Sequence, residues 1–220
     1  MARTSIATDN FNRASLGTDW TQLCSYNGTI SITGSTVIYA SGYQPPGTTG
    51  AMRWDGAGTF SDDQYSSLVI GVLAYENVYI NMGVIVRASA DSDSTSAMNT
   101  RDFYGVSVCL DAGGPNYTTV LYKVVNGTVT SLNSGSASWA VNDRIELEVE
   151  GTTLRVCKNG TALGGSWTVT DSSLTTGKPG VAMSSGGNAS FYADDWEGGS
   201  IGGSTSIVPQ AMAHYRMRST

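Results

Sequence analysis

The segment Arg144-Ile-Glu-Leu-Glu-Val-Glu-Gly-Thr-Thr-Leu-Arg-Val156 decides the fold class of this chain. Apolar and acidic residues alternate along its first arm: Ile145, Leu147 and Val149 on one side, Glu146, Glu148 and Glu150 on the other. Side chains of a β-strand alternate between its two faces, so we expect the first set to meet a core and the second to meet water. Gly151 marks a turn, and Asn159-Gly160 marks another after the returning arm. The segment predicts an antiparallel hairpin.

The rest of the chain repeats this pattern of strand and turn. Leu121–Val125 and Thr128–Leu132 are joined by Asn126-Gly127, two residues that tolerate the positive φ of a two-residue hairpin turn. Short β-rich runs alternate with clusters of Gly, Asn, Asp, Ser and Pro, and helical periodicity is nearly absent. We expect about fifteen antiparallel strands, the first at Ile6–Arg13, and hence a large all-β sandwich.

Composition restricts the partners of the chain. Its 220 residues are enough for one domain with a short tail, and its net charge is −6. Nucleic acid attracts basic patches, and the only local basic cluster is His214, Arg216 and Arg218, so we expect no nucleic-acid partner. The three cysteines show no disulfide or zinc spacing. We find no secretory signal and no apolar run that could insert into a membrane, so we expect synthesis in a host cytoplasm.

The C-terminal residues differ from the rest. We expect the sandwich to occupy residues 1–197 and a linker and docking tail to occupy 198–220, because Gly198–Ser206 has the composition of a flexible linker. The residues after the linker include five apolar side chains that a disordered tail would not need. We predict that they anchor the protein to a partner: Ile207, Val208, Met212, Tyr215 and Met217.

Catalysis is not expected. The chain has one histidine, His214, and its position in the tail argues against a catalytic triad or a zinc site. Glu146, Glu148 and Glu150 would lie about 6.5–7 Å apart along one strand, near the spacing of glycosidase carboxylates. We favour a solvated polar strand face over a catalytic pair.

Several motifs resemble the concanavalin A-like lectin/glucanase domains, including laminin G-like modules. These motifs are Asp9–Arg13 with Leu16-Gly17 and Trp20, Trp139–Asp143, Ile145–Gly151 with Leu154–Val156 and Lys158–Gly160, Thr176–Val181, and Tyr192–Glu197. The resemblance spans residues 6–197 and implies a two-sheet antiparallel jelly-roll sandwich whose first and last strands are adjacent. The catalytic glucanases of this fold carry Glu-x-Asp-x-x-Glu, whereas this chain has Glu-x-Glu-x-Glu, which puts their activity in doubt here.

The resemblance also implies two kinds of site. Sugar is often bound by aromatic rings beside polar groups, and the aromatic candidates, which could equally fill the core, are Trp54, Tyr104, Tyr117, Tyr122 and Trp139. Many members bind a structural calcium, although no cofactor is required. The candidate ligands, which could equally be turn residues, are Asp9, Asp194 and Asp195 in the outer strands and Asp91 and Asp93 in a loop.

These observations predict a non-enzymatic protein of a phage virion surface, a capsid decoration (cement) protein or a fibre module. The opening motif resembles phage structural proteins with this lectin-like fold. Other virion proteins or sister subunits are the expected partners, in many copies, and cell-surface glycans are a further candidate. Two alternatives stay open: an extracellular bacterial carbohydrate-binding module and a glycoside hydrolase of the same fold.

Overall fold

The computed structural model describes residues 2–24, 30–33, 37–40, 50–73, 80–89, 101–110, 117–185 and 191–202. These residues form sixteen strands and one short 3-10 helix, Gly165–Trp167. The strands are β1 (Arg3–Asp9), β2 (Trp20–Cys24), β3 (Ile30–Thr33), β4 (Val37–Ala40), β5 (Gly50–Trp54), β6 (Gln64–Leu73), β7 (Ile80–Ala88), β8 (Phe103–Leu110), β9 (Tyr117–Val125), β10 (Thr128–Ser136), β11 (Arg144–Glu150), β12 (Thr153–Lys158), β13 (Thr161–Ala162), β14 (Thr168–Thr170), β15 (Lys178–Ser185) and β16 (Phe191–Ile201). Within these ranges no helix has the length and apolar character needed to span a membrane.

The strands form two antiparallel sheets, as the sequence predicts. The nine-stranded sheet has the order β13-β12-β11-β6-β16-β4-β3, with β1 paired to β16 and β14 paired to β12. The seven-stranded sheet has the order β10-β9-β8-β7-β15-β5-β2. The first and last described strands are therefore neighbours, and Asp9 lies opposite Trp196. This adjacency confirms the jelly-roll expectation.

Both predicted hairpins form with the expected turns. Asn126 (φ 48°) and Gly127 (φ 72°) join β9 to β10, and Asn159 (φ 52°) and Gly160 (φ 77°) join β12 to β13. Positive φ at both turn residues matches the right-handed twist of the strands that they connect. Gly151 (φ 55°) opens the turn between β11 and β12.

The core between the sheets is rich in aromatic rings. Trp20 contacts Trp54 and Trp196 with ring centroids 5.3 and 4.8 Å apart, and Trp54 stacks on Trp196 at 5.3 Å. The indole N–H groups are satisfied inside the core: Trp196 Nε1 donates to Ser66 Oγ at 2.9 Å, and Trp20 Nε1 donates to Asp9 Oδ2 at 2.6 Å. Such hydrogen bonds let a polar ring edge be buried without an unpaired donor.

The first strand differs from its predicted position, Ile6–Arg13. It runs from Arg3 to Asp9 because the Asp9 carboxylate accepts the Phe11 amide at 2.8 Å and Phe11 has a φ of 51°. A side chain that bonds the backbone two residues later forms a turn and ends the extended segment.

The last strand passes the predicted boundary between sandwich and linker. Gly198, Gly199 and Ser200 belong to β16, which continues to Ile201. A Cβ on Gly198 would lie 2.7 Å from the Trp196 ring, and one on Gly199 would lie 2.6 Å from the Tyr65 ring. These glycines thus permit close packing rather than flexibility. Residues 203–220 lie outside the described residues, so the tail stays a prediction.

Candidate functional site

The side of the nine-stranded sheet that points away from the core is charged. Along β11 the apolar residues enter the core and the glutamates point to this outer side. We call it the charged face and define it by Arg3, Tyr65, Glu146, Glu148, Arg155 and Glu197. In the strand register Glu148 lies between Tyr65 of β6 and Arg155 of β12.

The glutamates of the charged face are not solvated as the sequence pattern predicts. Glu146 is 2% exposed and Glu148 is 6% exposed. Arg3 of β1 covers them: its Nη1 lies 2.5 Å from Glu146 Oε2, and its Nε donates to Glu148 Oε1 at 2.8 Å. The solvated-face prediction is wrong for these two residues because a cation far away in sequence closes over them. Such a pair survives burial only when charge and hydrogen bonds are matched.

Tyr65 completes the cover of this face. Its ring lies over Gly199, its cross-strand neighbour in β16, where the missing side chain leaves room. The hydroxyl donates to Glu197 Oε1 at 2.5 Å, and the Arg3 guanidinium lies 5.2 Å from the ring centroid, within cation–π range. Burial and the Glu197 carboxylate raise the pKa of Tyr65, so its hydroxyl remains a donor.

Arg155 and Cys157 of β12 lie on the charged face on the opposite side of Glu148 from Tyr65. Arg155 Nη2 lies 3.2 Å from Glu150 Oε2, and its Nη1 lies 3.6 Å from Glu148 Oε2. The Cys157 thiol lies 3.8 Å from the same Glu148 oxygen. Burial, followed by the Glu148 and Glu146 carboxylates, raises the pKa of Cys157 to about 12.

Two adjoining grooves cross this side of the molecule. A groove of about 680 Å³, which we call the charged groove, is lined by Arg3, Ser5, Tyr65, Arg144, Asn159 and Glu197 among others. A second groove of about 500 Å³ includes Asn10, Arg13, Asp19 and Asp195 and shares Arg144 and Glu197 with the first. Arg144 Nη1 is held at the junction by Ser67 Oγ (2.8 Å) and the Asp195 carbonyl (3.1 Å). The two grooves therefore form one continuous polar surface.

Of the five aromatic residues predicted as a sugar platform, none lines the charged groove, and Trp54 alone lines the second groove. Trp54, Tyr104, Tyr122 and Trp139 are buried, and Tyr117 is half-buried against the core. Trp139 Nε1 donates to Thr119 Oγ1 at 2.8 Å, and the Tyr104 hydroxyl donates to Asp171 Oδ1 at 2.6 Å. Rings buried in this way help to pack the sandwich, and only the 8% exposed Trp54 also reaches a groove.

Among the aspartates predicted as calcium ligands, Asp9 already has a cationic partner. Asp9 is engaged by Arg13 through both carboxylate oxygens at 2.5 Å. Although burial opposes it, hydrogen bonds from Arg13, Trp20 and the Phe11 amide hold the pKa of Asp9 below its ordinary value. Burial, together with Asp195 and Asp9, raises the pKa of Asp194. No group of three or more His, Cys, Asp or Glu side chains suited to a metal occurs in the described part of the chain.

The remaining predicted residues lie outside the described ranges. They are Asp91 and Asp93 in one segment and Ile207, Val208, Met212, Tyr215 and Met217 in another. A loop calcium site and a docking tail thus stay predictions.

Sequence reasoning missed the side chains that shape the charged groove. Arg3 precedes the predicted first strand, and Tyr65 and Arg144 lie at the starts of strands, where no motif marks them. The implied adjacency of first and last strands was the one signal that could have placed Arg3 near Glu197.

Comparisons with known proteins identify the fold. No protein-family model matches the chain, and no curated protein matches it. Among solved structures, a Bacillus subtilis protein of unknown function with a galectin-like fold matches with a TM-score of 0.59 and 13% identity, covering 90% of this chain and 97% of that chain. The carbohydrate-binding module CBM66 from Bacillus subtilis matches with a TM-score of 0.53 and 16% identity, over 82% and 96% of the two chains.

A phage protein has the same fold. The CBM2 module of the evolved Dit from Lactobacillus casei BL23 phage J-1 matches with a TM-score of 0.51 and 12% identity, covering 90% of this chain and 96% of that chain. Identities this low establish architecture and nothing finer. The chain is a concanavalin A-like, lectin-type sandwich of two antiparallel sheets.

Proposed function

We propose that this protein is a non-catalytic, glycan-contacting protein of a phage virion surface, a capsid decoration (cement) protein or a fibre module. The observation that carries the glycan-binding part is the charged groove, where arginine and glutamate side chains are fixed by one another beside an open polar surface. The binding surface is the groove and its continuation past Arg144.

The chemistry of the charged groove suits sugar hydroxyls. A hydroxyl both donates and accepts hydrogen bonds, and a pair of neighbouring hydroxyls needs donors and acceptors at fixed positions. Arg3, Arg144 and Glu197 offer both kinds in one groove. Each is held by a neighbouring group, which lowers the entropic cost of keeping it in place. A continuous surface favours a saccharide chain over a single sugar.

Two carboxylates of the charged face, Glu146 and Glu148, are committed to structure. Glu146 Oε1 accepts the Gly160 amide and Oε2 accepts Arg3. Glu148 Oε1 accepts Arg3, and Oε2 faces Arg155 and Cys157. A glycosidase needs one carboxyl at the leaving oxygen and another at the anomeric carbon or its water, and both must reach the substrate. Their burial supports binding without turnover.

The virion setting has independent support. A module of a phage Dit protein shares the fold, and the five apolar tail residues give a means of attachment by burial of apolar area. Removing residues 203–220, which leaves β16 intact, is expected to abolish incorporation into particles while the sandwich folds. Unchanged incorporation would remove the anchor.

A glycan array tests the binding surface with matched variants. Ser5 is exposed in β1 and lines the charged groove, so Ser5→Trp fills the groove without removing an ion pair. Ser134 is an exposed serine of β10 in the other sheet, so Ser134→Trp is the control. We expect the wild type and the control to bind the same glycans and Ser5→Trp to lose those that the charged groove holds.

The alternatives give different results. Equal binding by all three proteins would contradict a site in the charged groove. Hydrolysis of a β-glucan that is lost in Glu148→Gln would favour a glycosidase. Glycan binding by a chain found in no virion would favour the bacterial carbohydrate-binding module, whose fold CBM66 shares.

A further inference from the structure

A second cleft lies at one end of the sandwich, apart from the charged groove. It has a volume of about 850 Å³ and lies between loop 55–63, which connects β5 to β6, and loop 171–177, which connects β14 to β15. We call it the rim cleft. It shares no lining residue with the two grooves described above.

Two buried side chains hold the walls of the rim cleft together. Arg87 is 3% exposed and donates to the Asp62 carbonyl at 3.0 Å and to the Leu174 carbonyl at 2.7 Å, one in each loop. Gln64 Nε2 donates to the carbonyls of Ser61 and Gly177, both at 3.0 Å, again one in each loop. The two loops are thus tied through the same side chains, and the cleft is formed before any ligand arrives.

The surface of the rim cleft combines one aromatic ring with hydroxyl groups. Phe60 is half-buried and packs against the core, with Leu174 nearby in the lining. Thr59, Thr175 and Thr176 are exposed beside it. A flat apolar ring bordered by hydroxyls matches a pyranose, which has one face of C–H groups and a rim of O–H groups.

The charges of the rim cleft are already paired. Arg53 Nε lies 2.9 Å from Asp55 Oδ2, and Lys178 Nζ lies 2.8 Å from Asp55 Oδ1. The other lining carboxylate, Asp102, accepts the Asn126 amide at 2.7 Å. A charged ligand would have to displace one of these partners, whereas a neutral ligand can hydrogen-bond to them as they stand.

From these features we propose that the rim cleft is a second saccharide site, specific for neutral sugars, with Phe60 as the stacking platform. The ligand class rests on the proposed glycan-binding function, but the site does not depend on the charged groove. Two separate sites on one chain would let the protein engage a polysaccharide at two points and raise its avidity.

Fluorine NMR tests the proposal directly. The protein is labelled with para-fluorophenylalanine, and the Phe60 resonance is assigned as the one that Phe60→Leu removes. The probes are maltohexaose, cellohexaose, laminarihexaose and mannohexaose, with any neutral glycan found on the array. We expect at least one probe to shift the Phe60 resonance saturably and to bind roughly three- to tenfold more weakly to Phe60→Ala, the range for one aromatic contact.

Blocking variants separate this site from the charged groove. Thr175→Trp fills the rim cleft, and Ser172→Trp places the same ring on an exposed residue of the same loop that does not line it. The Phe60 shift should vanish in Thr175→Trp and persist in Ser172→Trp and Ser5→Trp. No shift with any probe, or a shift that survives Thr175→Trp, overturns the second site. If Ser5→Trp still loses array binding in that case, the proposed glycan binding at the charged groove is supported without a second site.

Discussion

The outer faces of the two sheets both bury side chains, but by different chemistry. On the charged face, Arg3, Glu146 and Glu148 neutralise one another. On the outer side of the seven-stranded sheet, the described residues include a buried apolar cluster: Leu23, Ala51, Ile85, Ala88, Phe103, Tyr122, Val124 and Ala182. We call this second set the apolar face. A sheet can thus bury its outer side with ion pairs or with hydrocarbon.

The two faces share one packing arrangement, a tyrosine ring that covers a glycine of the neighbouring strand. Tyr65 lies over Gly199 on the charged face, and Tyr122 lies over Gly105 on the apolar face, each pair being cross-strand neighbours. A Cβ on Gly105 would lie 2.5 Å from the Tyr122 ring. A ring that covers a strand glycine shields backbone that the missing side chain leaves open. The difference lies in what surrounds each ring: Arg3 and Glu197 near Tyr65, Phe103 near Tyr122 at 6.2 Å. The comparison teaches that the two sheets bury similar tyrosine–glycine pairs in different surroundings, with ion pairs on the charged face and hydrocarbon on the apolar face.

The largest expected loss of stability comes from a substitution on the apolar face. Phe103 is 0% exposed, so Phe103→Ala should lower the free energy of unfolding by about 3–5 kcal/mol through lost burial and a cavity. Urea denaturation at neutral pH measures it, and the loss should be the same at low and high salt. A loss below about 1 kcal/mol would show that this face is not a packed cluster.

The next largest loss of stability is expected from a substitution on the charged face. Arg3→Met leaves Glu146 and Glu148 without their main cation, which should lower the free energy of unfolding by about 3 kcal/mol. The triple variant with Glu146→Gln and Glu148→Gln removes the charges that need Arg3 and should recover most of that stability. If Arg3→Met alone leaves the free energy of unfolding unchanged, the ion pairs do not stabilise this face.

A smaller effect concerns the tyrosine of the charged face. Tyr65→Phe removes a hydrogen bond to an ionised carboxylate, with an expected loss of about 1.5 kcal/mol. A double-mutant cycle with Glu197→Gln isolates the pair, since the loss should shrink when Glu197 is already neutral. Equal losses in both backgrounds would place the effect in ring packing instead.

The smallest effect is pH-dependent. The folded-state pKa of Cys157 is raised from 9.0 to about 12, so the folded protein keeps this proton while the unfolded chain loses it. Its contribution to stability is therefore complete below pH 9 and declines as pH rises toward 12. Cys157→Ala should remove this decline. The free energy of unfolding of the variant, relative to that of the wild type, should therefore be roughly 1 kcal/mol higher at about pH 10 than at neutral pH.

Cys109 supplies the matched control, because it is a buried cysteine on the outer side of the other sheet. Urea denaturation in a thiol reductant at both pH values gives the comparison. A gain in Cys109→Ala equal to that in Cys157→Ala would mean that the glutamates of the charged face do not influence Cys157.

What the sequence alone determined is local and periodic. Alternation in Ile145–Glu150 specified a strand with one core face, and Asn126-Gly127 and Asn159-Gly160 specified their turns, because positive φ is a property of the turn residues themselves. Family-like motifs added the adjacency of β1 and β16.

What only the tertiary structure decided is which polar residues stay in water. Glu146 and Glu148 carry the pattern of a solvated face, yet Arg3, more than a hundred residues away in the chain, closes over them. Gly198 and Gly199 carry the composition of a linker, yet the rings of Trp196 and Tyr65 occupy the space that side chains at these positions would fill. Phe60 carries no motif, and Arg87 and Gln64 tie loops 55–63 and 171–177 together around it. Burial depends on what comes near in space, and spacing along one strand does not contain that information.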